Sequence, residues 1–238
     1  MHNTIMGILK RFKKLKEKIR EEEKYASPSE PRWIPASENQ FGIDVLDCSS
    51  ITQGMVAMTS DVKVAMTFEE LRSSQGREYR DLKPEQCGTV AYELEYPPIQ
   101  TPQDGPVFKA TAMEDKWDIY LFNARLYFCR SWSGILGYRA NIRSEKDKLY
   151  VMQIDYEKTR AENPLDAVRD VDYLIKSHLY GALVPHPLLR NVPSDPMSLA
   201  ANSFSRFGQR CLYGTYDDTI KFKVRTTQHS GDANKNEE

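Results

Sequence analysis

The stretch "WDIYLFNARLYFCRSWSGILGYRANIRSEKDKLYVMQIDY", Trp117 to Tyr156, decides the fold. It holds four runs rich in aromatic and β-branched residues. Asn123-Ala124, Ser133-Gly134 and the polar segment Ser144 to Asp147 separate them. Connections this short join antiparallel neighbours, because a parallel pair needs a crossover of a dozen residues or more. Residues 117–156 therefore read as a central β-meander.

Helices and further strands are expected on either side. Downstream, Asn163 caps a helix whose first position is Pro164, where a missing N–H costs nothing. Leu165, Val168, Val171, Leu174, Ile175 and Leu179 form its apolar stripe, and Gly181 stops it. Ser194 is the expected cap of a second helix, Pro196 to Arg206, which ends at Gly208. "CLYGTY" and "IKFKVRT" read as a last hairpin around Asp217-Asp218. Upstream, strands are expected at Ile43 to Leu46 and Thr89 to Tyr96. A helix after Ser60-Asp61 carries Val62, Ala65, Met66 and Leu71 as a rough stripe. "IQTPQDGPVF" reads as a turn-rich loop. No βαβ alternation runs through the chain. The class is α+β, a mostly antiparallel sheet packed by helices.

The N-terminus differs in character. Ile5, Ile8, Leu9, Phe12, Leu15 and Ile19 fall at helical spacing, while Lys10, Arg11, Lys13, Lys14, Lys16, Lys18 and Arg20 fill the other face. This predicts a basic amphipathic helix over residues 1–24. It would dock on anionic lipid or a protein partner through residues 5–20, pack on the domain, or extend into solvent. Residues 25–40, rich in Pro and Ser, read as a linker, 41–227 as a single domain and 228–238 as a disordered tail.

Function is harder to read. The net charge of −1 removes any global attraction to nucleic acid and argues against that partner. Cys48, Cys87, Cys129 and Cys211 show no metal-ligand spacing, and the absence of a secretory leader makes reduced thiols in a cytoplasmic protein the expectation. No glycine-rich phosphate loop or nucleophile elbow occurs. Of His2, His178, His186 and His229, only His178 and His186 lie in ordered-looking sequence, and neither stands in a catalytic signature. No catalytic residue, metal or cofactor is expected.

One stretch of the meander stands out. In "LYFCRSWSGILGYRANI", alternation puts Leu126, Phe128, Arg130 and Trp132 on one face. Either expected register then brings Gly137, Arg139 and Asn141 to that face, and gives Tyr127, Cys129, Leu136, Tyr138 and Ala140 to the other. Arg130, Trp132 and Arg139 would form a pocket for an anion or partner, with Arg130 over the Trp132 ring. The competing reading pairs Arg130 with an internal acid, Asp118 or one from the following helix. The phrase "LYFCRSWSG", with the preceding "WDIYLFNA", resembles a hairpin of small uncharacterised bacterial proteins. The resemblance covers the hairpin alone and implies no activity. Two function classes follow: a non-enzymatic, immunity-like interaction protein with a protein partner, and a domain that binds or transforms a small anionic ligand at the Arg130 face.

Overall fold

The structure, a computed structural model, describes residues 30–99, 104–161 and 163–224. The expected N-terminal helix with its basic face, the first residues of the expected linker and the tail 228–238 lie outside the described residues.

The fold is α+β, and the meander is its centre. Strands β5 (Trp117–Phe122), β6 (Arg125–Arg130), β7 (Leu136–Glu145) and β8 (Lys148–Glu157) are consecutive antiparallel neighbours. Two more strands extend the sheet. β3 (Cys87–Tyr96) pairs with β8 and β4 (Gly105–Phe108) with β5, giving the order β3-β8-β7-β6-β5-β4. β4 lies in the expected loop. As an edge strand it tolerates Pro106, whose missing N–H would break a central one. Asn123 and Ala124 both take positive φ, +48° and +55°, as a tight turn matched to sheet twist requires.

The two faces of this sheet carry different loads. Ile119, Phe128, Tyr138 and Ile154 point to the face covered by helix α3 (Pro164–Leu174), which continues as a π-helical turn, Ile175–Leu179. Asn163 caps α3 through Asp166 N, as expected. Leu174 and Ile175 are fully buried against the sheet. Tyr120, Tyr127, Cys129 and Leu136 form a second cluster on the opposite face with Tyr79. Gly76 carries the chain over that cluster at φ +75°, where an added Cβ would lie 2.2 Å from the Tyr120 ring.

A second, four-stranded sheet is the part the sequence largely concealed, with only the runs at Ile43 to Leu46 and in "CLYGTY" marked beforehand. β1 (Arg32–Ile34) lies in the expected linker and pairs with β2 (Val45–Asp47). Asn39 fixes that segment: its side-chain amide donates to the Pro35 and Ile43 carbonyls at 2.8 Å each, and its oxygen accepts from Phe41 N. A polar, proline-rich stretch is thus tied down by strand pairing and side-chain hydrogen bonds rather than by a core. Among the described residues, which end at 224, the expected final hairpin shows one strand, Tyr213–Thr215 (β10), and it lies between β2 and the two-residue β9 (His186–Pro187). The buried β2 supplies the hydrogen bonds a local partner would have given. Helix α1 (Ser49–Gly54) was not legible. α2 (Val62–Ser73) is capped by Asp61, yet buries only Phe68. Of its expected stripe, Val62 and Met66 are exposed, while Ala65 and Leu71 are half-buried. α4 (Pro196–Phe207) is capped by Asp195 through Ser198 N, one residue beyond Ser194. Among the described residues, no helix is long and apolar enough to cross a membrane.

Candidate functional site

Arg130 ends β6, and its guanidinium reaches the C-terminal end of α4. It donates to the Arg206 carbonyl at 3.0 Å and the Ser205 carbonyl at 2.9 Å. The last carbonyls of a helix have no partner within it and carry the negative end of its dipole, so a cation is well placed there. The Trp117 indole N–H also donates to the Arg206 carbonyl, at 2.7 Å, and its ring lies 5.0 Å from the Arg130 guanidinium carbon. Neither expected acid pairs with Arg130. Asp118 accepts from Lys109 at 2.8 Å, and Asp170 of α3 pairs with Arg206. Among the described residues Arg130 has no carboxylate partner. Burial, followed by repulsion from Arg160, lowers its pKa to about 10.

Arg160 is a residue the sequence reading missed. Its guanidinium shares the Trp117 ring with Arg130, with its central carbon 5.8 Å from the ring centroid. It sits 2.6 Å from Glu157 Oε2 as an ion-pair contact without hydrogen-bond alignment. Gly137 makes room for it: a Cβ there would lie 3.0 Å from both Arg160 Nε and the Trp117 ring. Arg206 completes the group, donating to Asp170 and to the Pro187 carbonyl. Asp170 in turn accepts from the buried Tyr138 hydroxyl at 2.7 Å. These side chains line a cavity of about 300 Å³ between the sheet and the end of α4. A second lobe of about 410 Å³ shares Asp170, Leu189 and Arg206 with it and adds Arg169 and Arg190. Guanidiniums held over rings and against helix carbonyls are pre-oriented forks for carboxylate or phosphate oxygens.

The structure keeps Trp132 and Arg139 away from Arg130. The β6–β7 loop has the four-residue form, with Arg130 N donating to Ile135 O at 2.8 Å. Gly137 then forms a bulge: Cys129 pairs with Leu136, but Phe128 pairs with Tyr138. One extra residue turns the rest of β7 over, because side chains alternate with period two. Tyr138 and Ala140 thus join the Arg130 face, and Arg139 goes to the other. There it is 7 % exposed, donates from Nε to Asp155 at 2.9 Å, and donates to the Leu82 carbonyl. Burial pushes the Asp155 carboxyl up, but the Thr89 hydroxyl and Arg139 more than reverse this and leave its pKa lowered. Trp132 donates to the Met113 carbonyl and carries the Lys116 ammonium 4.1 Å from its ring. The cation–π pair forms with a different cation, and the same ammonium lies 4.7 Å from the Phe204 ring of α4.

Of the other reactive side chains, Cys87 is a half-buried free thiol, and the rest are sealed in. Cys48, Cys129 and Cys211 are buried free thiols. Burial pushes Cys48 up to about 12 and the other two well above the ordinary range, so they are poor nucleophiles. His178 is buried, and His186 is wholly buried with Nε2 2.7 Å from the equally buried Ser203 hydroxyl. Neither faces the cleft. Among the described residues, no His, Cys, Asp and Glu cluster could hold a metal ion.

No family model, no curated protein and no solved structure matches the chain.

Proposed function

We propose that this protein binds a small ligand through a carboxylate or phosphate group held in the cleft between Arg130, Arg160 and Arg206. The observation that carries this reading is a half-buried arginine with no described acid partner, set beside a second arginine on one indole and open to a cavity. Gathering like charges in a partly desolvated place costs stability, so a fold that keeps them together gains from an anion between them. The test is isothermal titration with inorganic phosphate and with citrate. Arg160→Met, which leaves the α4 cap intact, should weaken the bound anion at least tenfold with an unchanged fold. Wild-type protein that binds neither anion, or a variant that binds as well as wild type, would overturn the reading.

A second reading, a protein that acts on a protein partner, rests on a different surface. Met55, Val56, Met58, Val62 and Met66 leave much of their apolar area in water along the segment that runs from the end of α1 into α2. Exposed methionines suit an adaptable docking surface. Met58→Glu should abolish capture of such a partner while leaving anion binding intact.

A further inference from the structure

The cleft continues past Arg206. Its second lobe adjoins a third hollow of about 390 Å³, which adds Trp33 and Asp44, and the two share Arg190, Thr215, Tyr216 and Asp217. The chemistry changes along this path. At one end stand Arg130 and Arg160, two cations on one ring. At the other, Trp33 stacks on Tyr216 with centroids 5.8 Å apart and planes 28° apart, and Arg190 lies over the same tyrosine at 5.1 Å. Trp33 sits on the edge strand β1 and is 39 % exposed, so much of its indole is not spent on the core. Beside it, the exposed Asp217 carboxylate makes no hydrogen bond among the described residues, while Asp44 Oδ1 accepts from Ala36 N.

Resting on the anion reading above, the geometry points to a nucleoside phosphate as the ligand, with its phosphates at Arg130 and Arg160 and its base on Trp33. Each part of the groove has a matching part in such a molecule. A base is planar and stacks on an indole face. Its exocyclic amine is a donor, and Asp217 offers an acceptor next to that face. Phosphate oxygens suit the paired guanidiniums. Ligands charged at both ends fit less well, because Asp44 and Asp217 would repel an anion at the aromatic end. A nucleic-acid strand also fits less well. Its continuous phosphate track would run along Asp166, Asp170 and Asp217, which interrupt the arginines.

The test uses the full chain in metal-free buffer, titrated calorimetrically with ATP, ITP and inorganic tripolyphosphate. ATP should bind at least tenfold tighter than tripolyphosphate. Trp33→Leu should bring ATP down to the tripolyphosphate affinity without changing the latter, and Arg160→Met should weaken both at least tenfold. Asp217→Ala, in an exposed turn, should remove a preference for ATP over ITP, which lacks the amine. It provides the same test if Trp33→Leu proves misfolded by circular dichroism. Tripolyphosphate binding that depends on Arg160, with ATP no tighter and both aromatic-end variants silent, would overturn the nucleotide inference and leave the anion reading standing. Absence of binding by all three would overturn both. Tighter binding of a single-stranded oligoadenylate than of ATP would overturn the single-nucleotide assignment in favour of a strand.

Discussion

Lowering the pH from 7 to 5 should destabilise this fold through two histidines. His186 is packed between the rings of Tyr173 and Phe207, at 5.7 and 5.6 Å, and its Nε2 meets the Ser203 hydroxyl. His178 lies 4.7 Å from the Phe108 ring, with Nδ1 2.8 Å from the Ser177 hydroxyl. Burial, and then the charges of Arg206 and Arg210 respectively, push both imidazoles from 6.5 down to about 3. Both are therefore neutral in the folded state at pH 5, while in the unfolded chain both are protonated. A folded pKa below the unfolded one gives stability that is complete above about 6.5 and is lost as the pH falls towards 3. At 1.36 kcal/mol per pK unit, pH 5 costs about 2 kcal/mol for each histidine, or about 4 kcal/mol together. Asp172 works against this. Its burial outweighs Lys176 and Tyr96 and raises its carboxyl to about 6, so folding favours its proton and returns about 1 kcal/mol over the same interval. The net loss should be about 3 kcal/mol. Urea denaturation at the two pH values measures it. The sharper comparison uses His186→Gln, whose amide can reach the Ser203 hydroxyl but does not titrate. Its loss on acidification should be smaller than that of wild type by about 2 kcal/mol. Equal losses in the two proteins would refute the assignment of the proton to His186.

The remaining predictions concern packing and the buried ion pair. Leu174→Ala, in the fully buried contact of α3 with the sheet, should cost about 2–5 kcal/mol in the same denaturation assay, and a change within error of zero would sink that packing. Arg139→Met strands the buried Asp155 and should cost about 3–5 kcal/mol. Arg130→Met strands no acid and removes two bonds to helix carbonyls, so its cost should be smaller, about 1–3 kcal/mol, and a larger loss for Arg130 than for Arg139 would reverse the roles given to them. Gly208→Ala should lower the melting temperature, because at φ +77° its Cβ would lie 2.1 Å from the Glu114 carbonyl oxygen, and an unchanged melting curve would contradict that contact.

Local chemistry by itself determined the meander and the starts of α2 and α3. Asn123-Ala124 and Ser144 to Asp147 leave no length for a crossover, so strand order and direction follow from spacing alone. The caps at Asp61 and Asn163 sit next to the groups they serve, as does Gly208 at the end of α4. The second sheet was hidden because its strands are two or three residues long and their partners lie far along the chain, as with β2 and β10. The cleft was hidden for a related reason. Alternation singled out Arg130, but its partners Ser205 and Arg206 stand 75 and 76 residues away, and nothing near Arg160 or Arg190 marks them as its companions. The bulge at Gly137 decided the rest. A one-residue insertion is energetically small and leaves little trace in composition, yet it turns a strand over. It buried Arg139 with Asp155 and gave Arg160 the space beside Trp117. Sequence sets which residues belong to a strand, while the faces they occupy depend on register, and register is fixed only when the whole sheet packs.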